Sequence, residues 1–168
     1  EAGGHNGREE TTTFTLIPMV KEQLDIPLIA AGGIATGKGM LAAMILGADG
    51  VQIGSRFVAT PEASSHQAFK DLVVEAKEGA TELTLKELAP VRLLKNKFYT
   101  DVKRLYETTP TKEQLSALLG RGRAKKGMFE GDLDEGELEI GQIAGLIHEI
   151  KPAAAVVDEL ISEFQATK

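Results

Sequence analysis

The sequence predicts an α/β chain: short parallel strands alternate with helices in the first part, and a smaller, mainly helical lobe follows. Three observations carry this expectation. Ten of the 18 glycines fall within the first 54 residues, where short apolar runs alternate with helical patterns. Two of those runs end in glycine with a helix-length segment between them, which implies parallel pairing through a right-handed crossover. Beyond Glu78 the segments become longer and more charged. The divisions drawn on this basis are 1–78 for the glycine-rich α/β portion, 79–140 for the smaller lobe, and 141–168 for terminal helices that return to the first portion.

Taken in order, Phe14, Ile17, Val20 and Leu24 recur at helical spacing, and Asp25-Ile26-Pro27 breaks the pattern because proline disfavours the α conformation in the residue before it. Leu28-Ile29-Ala30-Ala31 reads as a buried strand ended by Gly32-Gly33. Thr36 suits the cap of a helix with Met40, Leu41, Met44 and Ile45 on its inner face, and Gly47 is its expected stop. Val51-Gln52-Ile53 is a second strand, running into Gly54-Ser55-Arg56-Phe57. Thr60-Pro61 reads as a cap and first-turn proline for a helix carrying Phe69, Leu72, Val73 and Ala76.

In the lobe, Leu83 and Leu85 alternate, a basic stretch covers Arg92 to Lys97, and a helix is expected near Phe98 to Tyr106. Thr111-Lys112-Glu113-Gln114 is a capping box for a helix stopping at Gly120. Gly120 to Gly127 reads as a basic loop, Glu130 to Glu139 as a solvated acidic turn, and Gly141 to Ile150 as a helix. Pro152 opens the last helix, with Val156, Val157, Leu160, Ile161 and Phe164 facing inward.

Composition bounds the function. The 168 residues carry 19 Lys+Arg against 25 Asp+Glu, a formal charge of −6, with 42% hydrophobic and 26% charged residues. That is an ordinary globular balance, and its acidic sign argues against broad nucleic-acid binding. Cysteine is absent, which excludes disulfides, thiolate nucleophiles and cysteine-held clusters, and permits a reducing cytoplasm. No apolar run approaches the roughly 18 residues of a membrane span. The chain starts at Glu1 within what reads as the rim of a site, and is expected to be part of a longer one.

The chemistry gathers at the glycine-ended strands. Ala31-Gly32-Gly33 and Ile53-Gly54-Ser55 would end side by side in a parallel sheet. Glycine lets a phosphate approach the main chain, and a following helix start offers free N–H donors. In (β/α)₈ barrels the usual phosphate site follows strands seven and eight, which this pair fits; the alternative is a pair of tight turns without a ligand. His5, in Gly3-Gly4-His5-Asn6-Gly7, lies in a loop without apolar periodicity and is the candidate proton donor or acceptor. His66 and His148 read as surface or structural histidines. No histidine or carboxylate spacing suggests a metal cage, and Asp132, Asp134, Glu135, Glu137 and Glu139 lack the pattern of a calcium-binding loop.

Four blocks in order, Glu1-Ala2-Gly3-Gly4-His5-Asn6-Gly7, Ile26 to Ile34, Gly50 to Phe57 and Gly141 to Leu146, resemble the nitronate monooxygenase (2-nitropropane dioxygenase) superfamily. Pro90-Val91-Arg92, Lys95-Asn96-Lys97, Glu130-Gly131-Asp132 and the helix after Lys151-Pro152 are most similar to its flavin-dependent enoyl-acyl-carrier-protein reductase II branch. The similarity covers nearly the whole chain, but only the second half of such a protein.

This resemblance implies an FMN-binding TIM (β/α)₈ barrel with a smaller appended lobe, of which 1–78 would be the C-terminal barrel portion. Gly3 corresponds to a flavin-contacting glycine. Gly32, Gly33, Gln52, Ile53, Gly54 and Ser55 match the FMN phosphate cradle, Ser55 standing where threonine is common, and His5 matches the active-site histidine. The missing N-terminal half would carry the first barrel strands and further flavin contacts. The reading that follows is an FMN-dependent oxidoreductase that reduces trans-2-enoyl-acyl-carrier-protein with NADH or NADPH in fatty-acid biosynthesis. Its rivals are a nitronate monooxygenase using oxygen and a non-catalytic phosphate-binding barrel fragment. The resemblance also implies a homodimer and allows a monovalent cation, while the cysteine-free, acidic composition without an apolar span leads to the expectation of a cytoplasmic chain with no membrane or nucleic-acid partner. Arg92, Lys95, Lys97, Arg121, Arg123, Lys125 and Lys126 read first as a solvated face; under the reductase reading they would instead form a patch for the acidic acyl carrier protein.

Overall fold

Parallel pairing of the two glycine-ended runs organises the first part of the chain. The computed structural model describes residues 1–168. After β1 (Gly4–His5) and α1 (Thr13–Lys21), β2 (Ile29–Ala31) lies parallel to β3 (Gly50–Gln52), with Ala30 opposite Val51. The crossover is α2 (Gly37–Ile45), which starts where Thr36 accepts a hydrogen bond from the Gly39 amide at 3.0 Å. The chain turns after this helix at Gly47, whose φ of +115° suits glycine.

Ile17, Ala30, Ile34, Ala43 and Ala48 form the core of this layer. Three residues assigned to inner faces from periodicity lie elsewhere: Phe14 is 70% exposed, Ile45 76%, and Leu24 falls outside α1, which ends at Lys21. Both faces of the two-stranded sheet cannot be covered by α1 and α2 alone, and Ile29 is 54% exposed. The two strands do not close into a barrel within these residues.

Two further expectations are corrected after Gly54. A short α3 (Ser55–Val58) precedes the Thr60-Pro61 pair, which makes a turn instead of a helix start: the Thr60 hydroxyl donates to the Phe57 carbonyl and accepts from the Ala63 amide. The helix begins later, as α4 (Gln67–Val74), with His66 as the cap accepting from the Ala68 amide. That gives His66 a structural role.

The lobe is less helical than its sequence suggests. β4 (Thr81–Thr84) and β5 (Val91–Leu94) form an antiparallel hairpin, and β1 adds to the far edge of β5, giving the order β1-β5-β4. All four residues of β5 are buried, so Arg92 belongs to the strand interior and not to a solvated basic stretch. Asn96 opens α5 (Lys97–Tyr106) by accepting from the Tyr99 amide, while its own amide donates to the Leu133 and Gly136 carbonyls. The capping box of α6 (Lys112–Leu119) has both of its hydrogen bonds. Leu85, Val91, Leu93, Phe98, Val102 and Leu115 form the core under this sheet.

The expected basic loop contains α7 (Arg123–Met128), started by Gly122 in the left-handed conformation. Gly127 and Gly136 touch so closely that a Cβ on Gly136 would lie 2.1 Å from the Gly127 Cα. The expected solvated acidic turn instead runs along β5: Leu94 N–H donates to Leu138 O, and Leu93 pairs with Glu139. Residues Gln142–Leu146 form a 3₁₀ turn in place of a helix. α8 (Ala153–Thr167) buries Val156 and Leu160, whereas Val157 and Ile161 are exposed. A third core joins Phe69 and Val73 of α4 to Leu138, Ile140, Ile143 and Ile147. No helix is long and apolar enough to cross a membrane.

Candidate functional site

The C-terminal ends of β2 and β3 open on a cavity of about 300 Å³. Gly32 and Gly33 line it from the first strand end, and Gln52, Ile53, Gly54 and Ser55 from the second. Gly3 and Gly4 border it on a third side, and Glu139 to Gly141 on the fourth. Every binding residue singled out in the sequence, Gly3, Gly32, Gly33, Gln52, Ile53, Gly54 and Ser55, therefore lines one cavity. His5 does not line it. It follows Gly4 on β1 and is exposed at the rim.

Local packing explains the glycines. Gly32 and Gly33 have φ of +94° and +73°, the left-handed region where a side chain is strained. A Cβ on Gly3 would lie 2.6 Å from the Gly141 amide nitrogen, so the two segments can meet only without it. Gly54 differs: an added Cβ would meet nothing within 4 Å. Packing within the chain therefore does not require glycine at this position.

Hydrogen bonds hold the rim together. The Thr13 hydroxyl donates to the Gly32 carbonyl at 2.9 Å, and the Thr13 amide donates to the Glu1 carboxylate, lashing α1 to the first glycine loop. The Ser55 hydroxyl accepts from the Gly141 amide at 2.9 Å, which leaves its own proton free to donate. The amides of Ser55 and Arg56 open α3, where the first N–H groups of a helix have no intrahelical acceptor.

Sequence reasoning missed three acidic residues. Glu1 lines the cavity, with its carboxylate 3.1 Å from where a Gly33 Cβ would stand. Glu139 also lines it, and Glu137 is buried just behind, so neither belongs to a solvated acidic turn. Burial pushes the Glu137 carboxyl up to about 7, with the Glu139 charge adding to it and His5 opposing. Burial raises Glu139 as well, again opposed by His5. The signal for both lay in the alternation of Glu137-Leu138-Glu139-Ile140, a strand pattern.

Most of the basic residues have partners within the chain, while Arg121 is exposed. Lys95 pairs with Glu82, Lys97 with Asp101 and Glu135, Lys125 with Glu130, and Lys126 with Asp132. The Arg123 guanidinium donates to the Leu118, Leu119 and Glu135 carbonyls and stacks 4.4 Å from the centre of the Phe98 ring. Arg92 donates to Thr81, and its buried Nε has no partner. His148 lines a separate cleft with Arg56 and Lys151.

Parallel βα units ending on glycine loops around one cavity define an α/β chain built to receive a ligand at its strand ends. The chain belongs to the nitronate monooxygenase family, whose pattern it matches over residues 1–163. It is 34% identical over 140 residues to a probable nitronate monooxygenase of Staphylococcus saprophyticus, covering 76% of this chain and 39% of that protein. Its fold matches FabK from Thermotoga maritima with a TM-score of 0.88 and 40% identity, over 99% of this chain and 52% of FabK. A nitroalkane oxidase from Streptomyces ansochromogenes matches with a TM-score of 0.75 and 29% identity, over 98% of this chain and 49% of the oxidase. The chain thus spans about half the length, or less, of the relatives it matches.

Proposed function

We propose that this chain is the flavin-binding half of an oxidoreductase that reduces trans-2-enoyl thioesters with NADH or NADPH. In this reading β2 and β3 are the last two strands of a (β/α)₈ barrel. The observation that carries it is the convergence of Gly3, Gly32, Gly33, Gln52, Ile53, Gly54 and Ser55 on one cavity. The residues fit FMN: Gly54 leaves space where any side chain would intrude, and the Ser55 hydroxyl with the Ser55 and Arg56 amides offers donors of the kind a phosphate needs. The carboxylates of Glu1 and Glu139 lie toward the Gly33 and Gly4 sides, and burial of Glu139 favours its neutral form, which reduces repulsion. Bound flavin would supply the two-electron exchange that no side chain of this chain can.

The chain's own share is then binding and proton transfer. The glycine loops hold the phosphate, and α1, lashed to Gly32 through Thr13, keeps the first loop in place. Reduction of an enoyl thioester leaves negative charge on its α-carbon and thioester oxygen. His5, at the rim beside Gly4, is the group that would meet that charge with a proton on its imidazole. Similarity to FabK over 99% of the chain supports the reductase choice. An acyl carrier protein as substrate carrier, a homodimer, and a monovalent cation belong to the same proposal.

A second reading is favoured by the family match: oxidation of a nitronate by oxygen, with His5 serving as base toward a neutral nitroalkane. One experiment separates the two. The purified protein is loaded with FMN and, without oxygen, offered NADPH or NADH or, separately, a nitronate as electron donor. Bleaching by the nicotinamide and return of flavin absorption on adding a crotonyl thioester, still without oxygen, are expected. Bleaching by the nitronate, with nitronate and oxygen consumed on aeration and no response to the thioester, would establish the second reading, and failure to retain flavin would overturn both.

A further inference from the structure

The last helix of the chain reaches the starts of both helices that leave the glycine loops. α2 follows Gly32-Gly33, and α3 follows Gly54. The first amide of α2, on Gly37, donates to Glu163 Oε2 of α8 at 2.6 Å, across 126 residues of sequence. Arg56 of α3, next to Ser55, holds its Nη2 3.5 Å from Glu159 Oε2 of the same helix. Glu159 and Glu163 stand at i and i+4 of α8, so they share one face of it. In the turn between them Leu160 is buried, and a Cβ on Gly37 would lie 2.3 Å from the Leu160 carbonyl oxygen. Glycine at 37 is what lets the two helix backbones approach this closely.

Both contacts answer a need that α2 and α3 cannot meet alone. The opening amides of a helix lack an intrahelical acceptor, and the helix dipole favours a carboxylate there. Arg56 is 8% exposed, its Nη1 has no partner, and Glu159 is its one carboxylate within 4 Å. Without Glu159 a buried charge would stand uncompensated. Glu163 also lies 3.9 Å from Lys38, and Glu159 also pairs with Lys151. The β2–β3 ladder ends at Ala31 and Gln52, before the loops, so strand pairing does not itself fix how far apart the loops stand.

We propose that Glu159 and Glu163 are positioning residues for the phosphate cradle: α8 straps the starts of α2 and α3 and so sets the spacing of the Gly32-Gly33 loop against Gly54-Ser55. The inference rests on the reading of the strand-end cavity as a phosphate site. Neither glutamate lines that cavity; both line the cleft shared by Arg56, His148 and Lys151. They act on a ligand only through the loops. A binding constellation must be held to within about 0.5 Å, so a loosened strap costs the phosphate its donors while leaving the rest of a ligand's contacts in place.

FMN and riboflavin differ only by the phosphate, which makes them paired probes. Fluorescence titration of the protein should show FMN bound more tightly than riboflavin. Glu163→Ala and Glu159→Ala should each weaken FMN about tenfold, the scale of one hydrogen bond to a charged group, and leave riboflavin unchanged. Glu163→Gln keeps an oxygen for the Gly37 amide and should restore FMN binding. Amide hydrogen exchange gives a readout without any ligand. The Met40 and Phe57 amides donate to the Thr36 and Gly54 carbonyls, and the Leu94 amide of β5 donates to Leu138. Met40 in Glu163→Ala and Phe57 in Glu159→Ala should exchange about tenfold faster, with Leu94 unchanged in both. Equal weakening of FMN and riboflavin, or exchange rising at Leu94 as much as at the other two, marks a merely structural helix and overturns the inference. FMN preference kept in full by both Ala variants also overturns it and leaves the phosphate site standing. Faster exchange at Met40 and Phe57 alone, in a chain that never distinguishes FMN from riboflavin, would sustain the strap and overturn the phosphate site.

Discussion

The parallel pair β2–β3 and the antiparallel strand β5 are of similar length and equally apolar in sequence, yet they meet opposite fates. All four residues of β5 are buried between β1, β4 and the helices α5 and α6. In β2 only Ala30 is buried, while Ile29 and Ala31 are exposed. Around it Phe14, Met19 and Ile26 are exposed as well, all on the same layer. The difference teaches that the lobe contains its own partners, whereas the glycine-rimmed layer carries more apolar surface than this chain covers. A strand pattern therefore reports burial only where the covering elements lie within the same chain.

The glycines sharpen the contrast most. In the lobe Gly136 is needed for folding, because its Cβ would overlap the Gly127 backbone. In the rimmed layer Gly54 meets nothing, so any cost of a side chain there falls on a ligand. Gly54→Asp is expected to leave the melting temperature unchanged and to abolish flavin retention, since a carboxylate would face a phosphate at several kcal/mol of roughly Coulombic cost in a partly dehydrated site. Gly136→Ala should do the opposite, lowering stability by about 1–3 kcal/mol or more. Absorption of the purified variants and thermal melts check both. Stoichiometric flavin in Gly54→Asp would remove Gly54 from the cradle.

The second test compares the strands directly. Leu93→Ala deletes a fully buried side chain and should cost about 2–5 kcal/mol in urea unfolding. Ile29→Ala, at a half-exposed position, should stay within about 0.5 kcal/mol. Equal costs would mean that the β2 face is covered in solution.

These contrasts also show how far the sequence could be read. Thr36, Gly47 and the Thr111–Gln114 capping box behave as read, because caps and stops are local chemistry that a few residues decide. The cavity lining was legible for the same reason: each glycine loop follows its own strand, and parallel pairing brings the two ends together. What was not legible depends on residues far apart in the chain. Asn96 reaching Leu133 and Gly136, and Glu139 pairing with Leu93, convert a charged run into packed structure. Thr60-Pro61 misled because the hydroxyl found partners in a turn before any helix could use it.

Glu137 gives the lobe a pH dependence that the rimmed layer has no reason to share. Its carboxyl rises from the ordinary 4.5 to about 7 on folding, so the folded chain binds the proton more tightly than the unfolded one. Stability is therefore fully present below the unfolded value and is lost as pH rises through the folded one. Glu137→Gln should remove that loss: no gain at about pH 4, and up to about 3 kcal/mol at about pH 8. Urea titrations at the two pH values measure it, and a gain of equal size at both would assign the effect to packing instead of charge.

The smallest effects separate cations that look alike in sequence. Arg123 is partly buried, satisfies three carbonyls that the end of α6 and the acidic segment would otherwise leave bare, and covers the Phe98 ring. Lysine has no fork to reach them together, so Arg123→Lys should cost about 1–3 kcal/mol. Lys125, two residues on, makes one exposed pair with Glu130. Such a pair gains little, because water screens the charges and two long side chains must be held still. Lys125→Ala should leave the melting temperature unchanged within error at both low and high salt. A salt-sensitive drop for Lys125→Ala, or none for Arg123→Lys, would show that the basic run acts through its summed charge and not through the hydrogen bonds of one member.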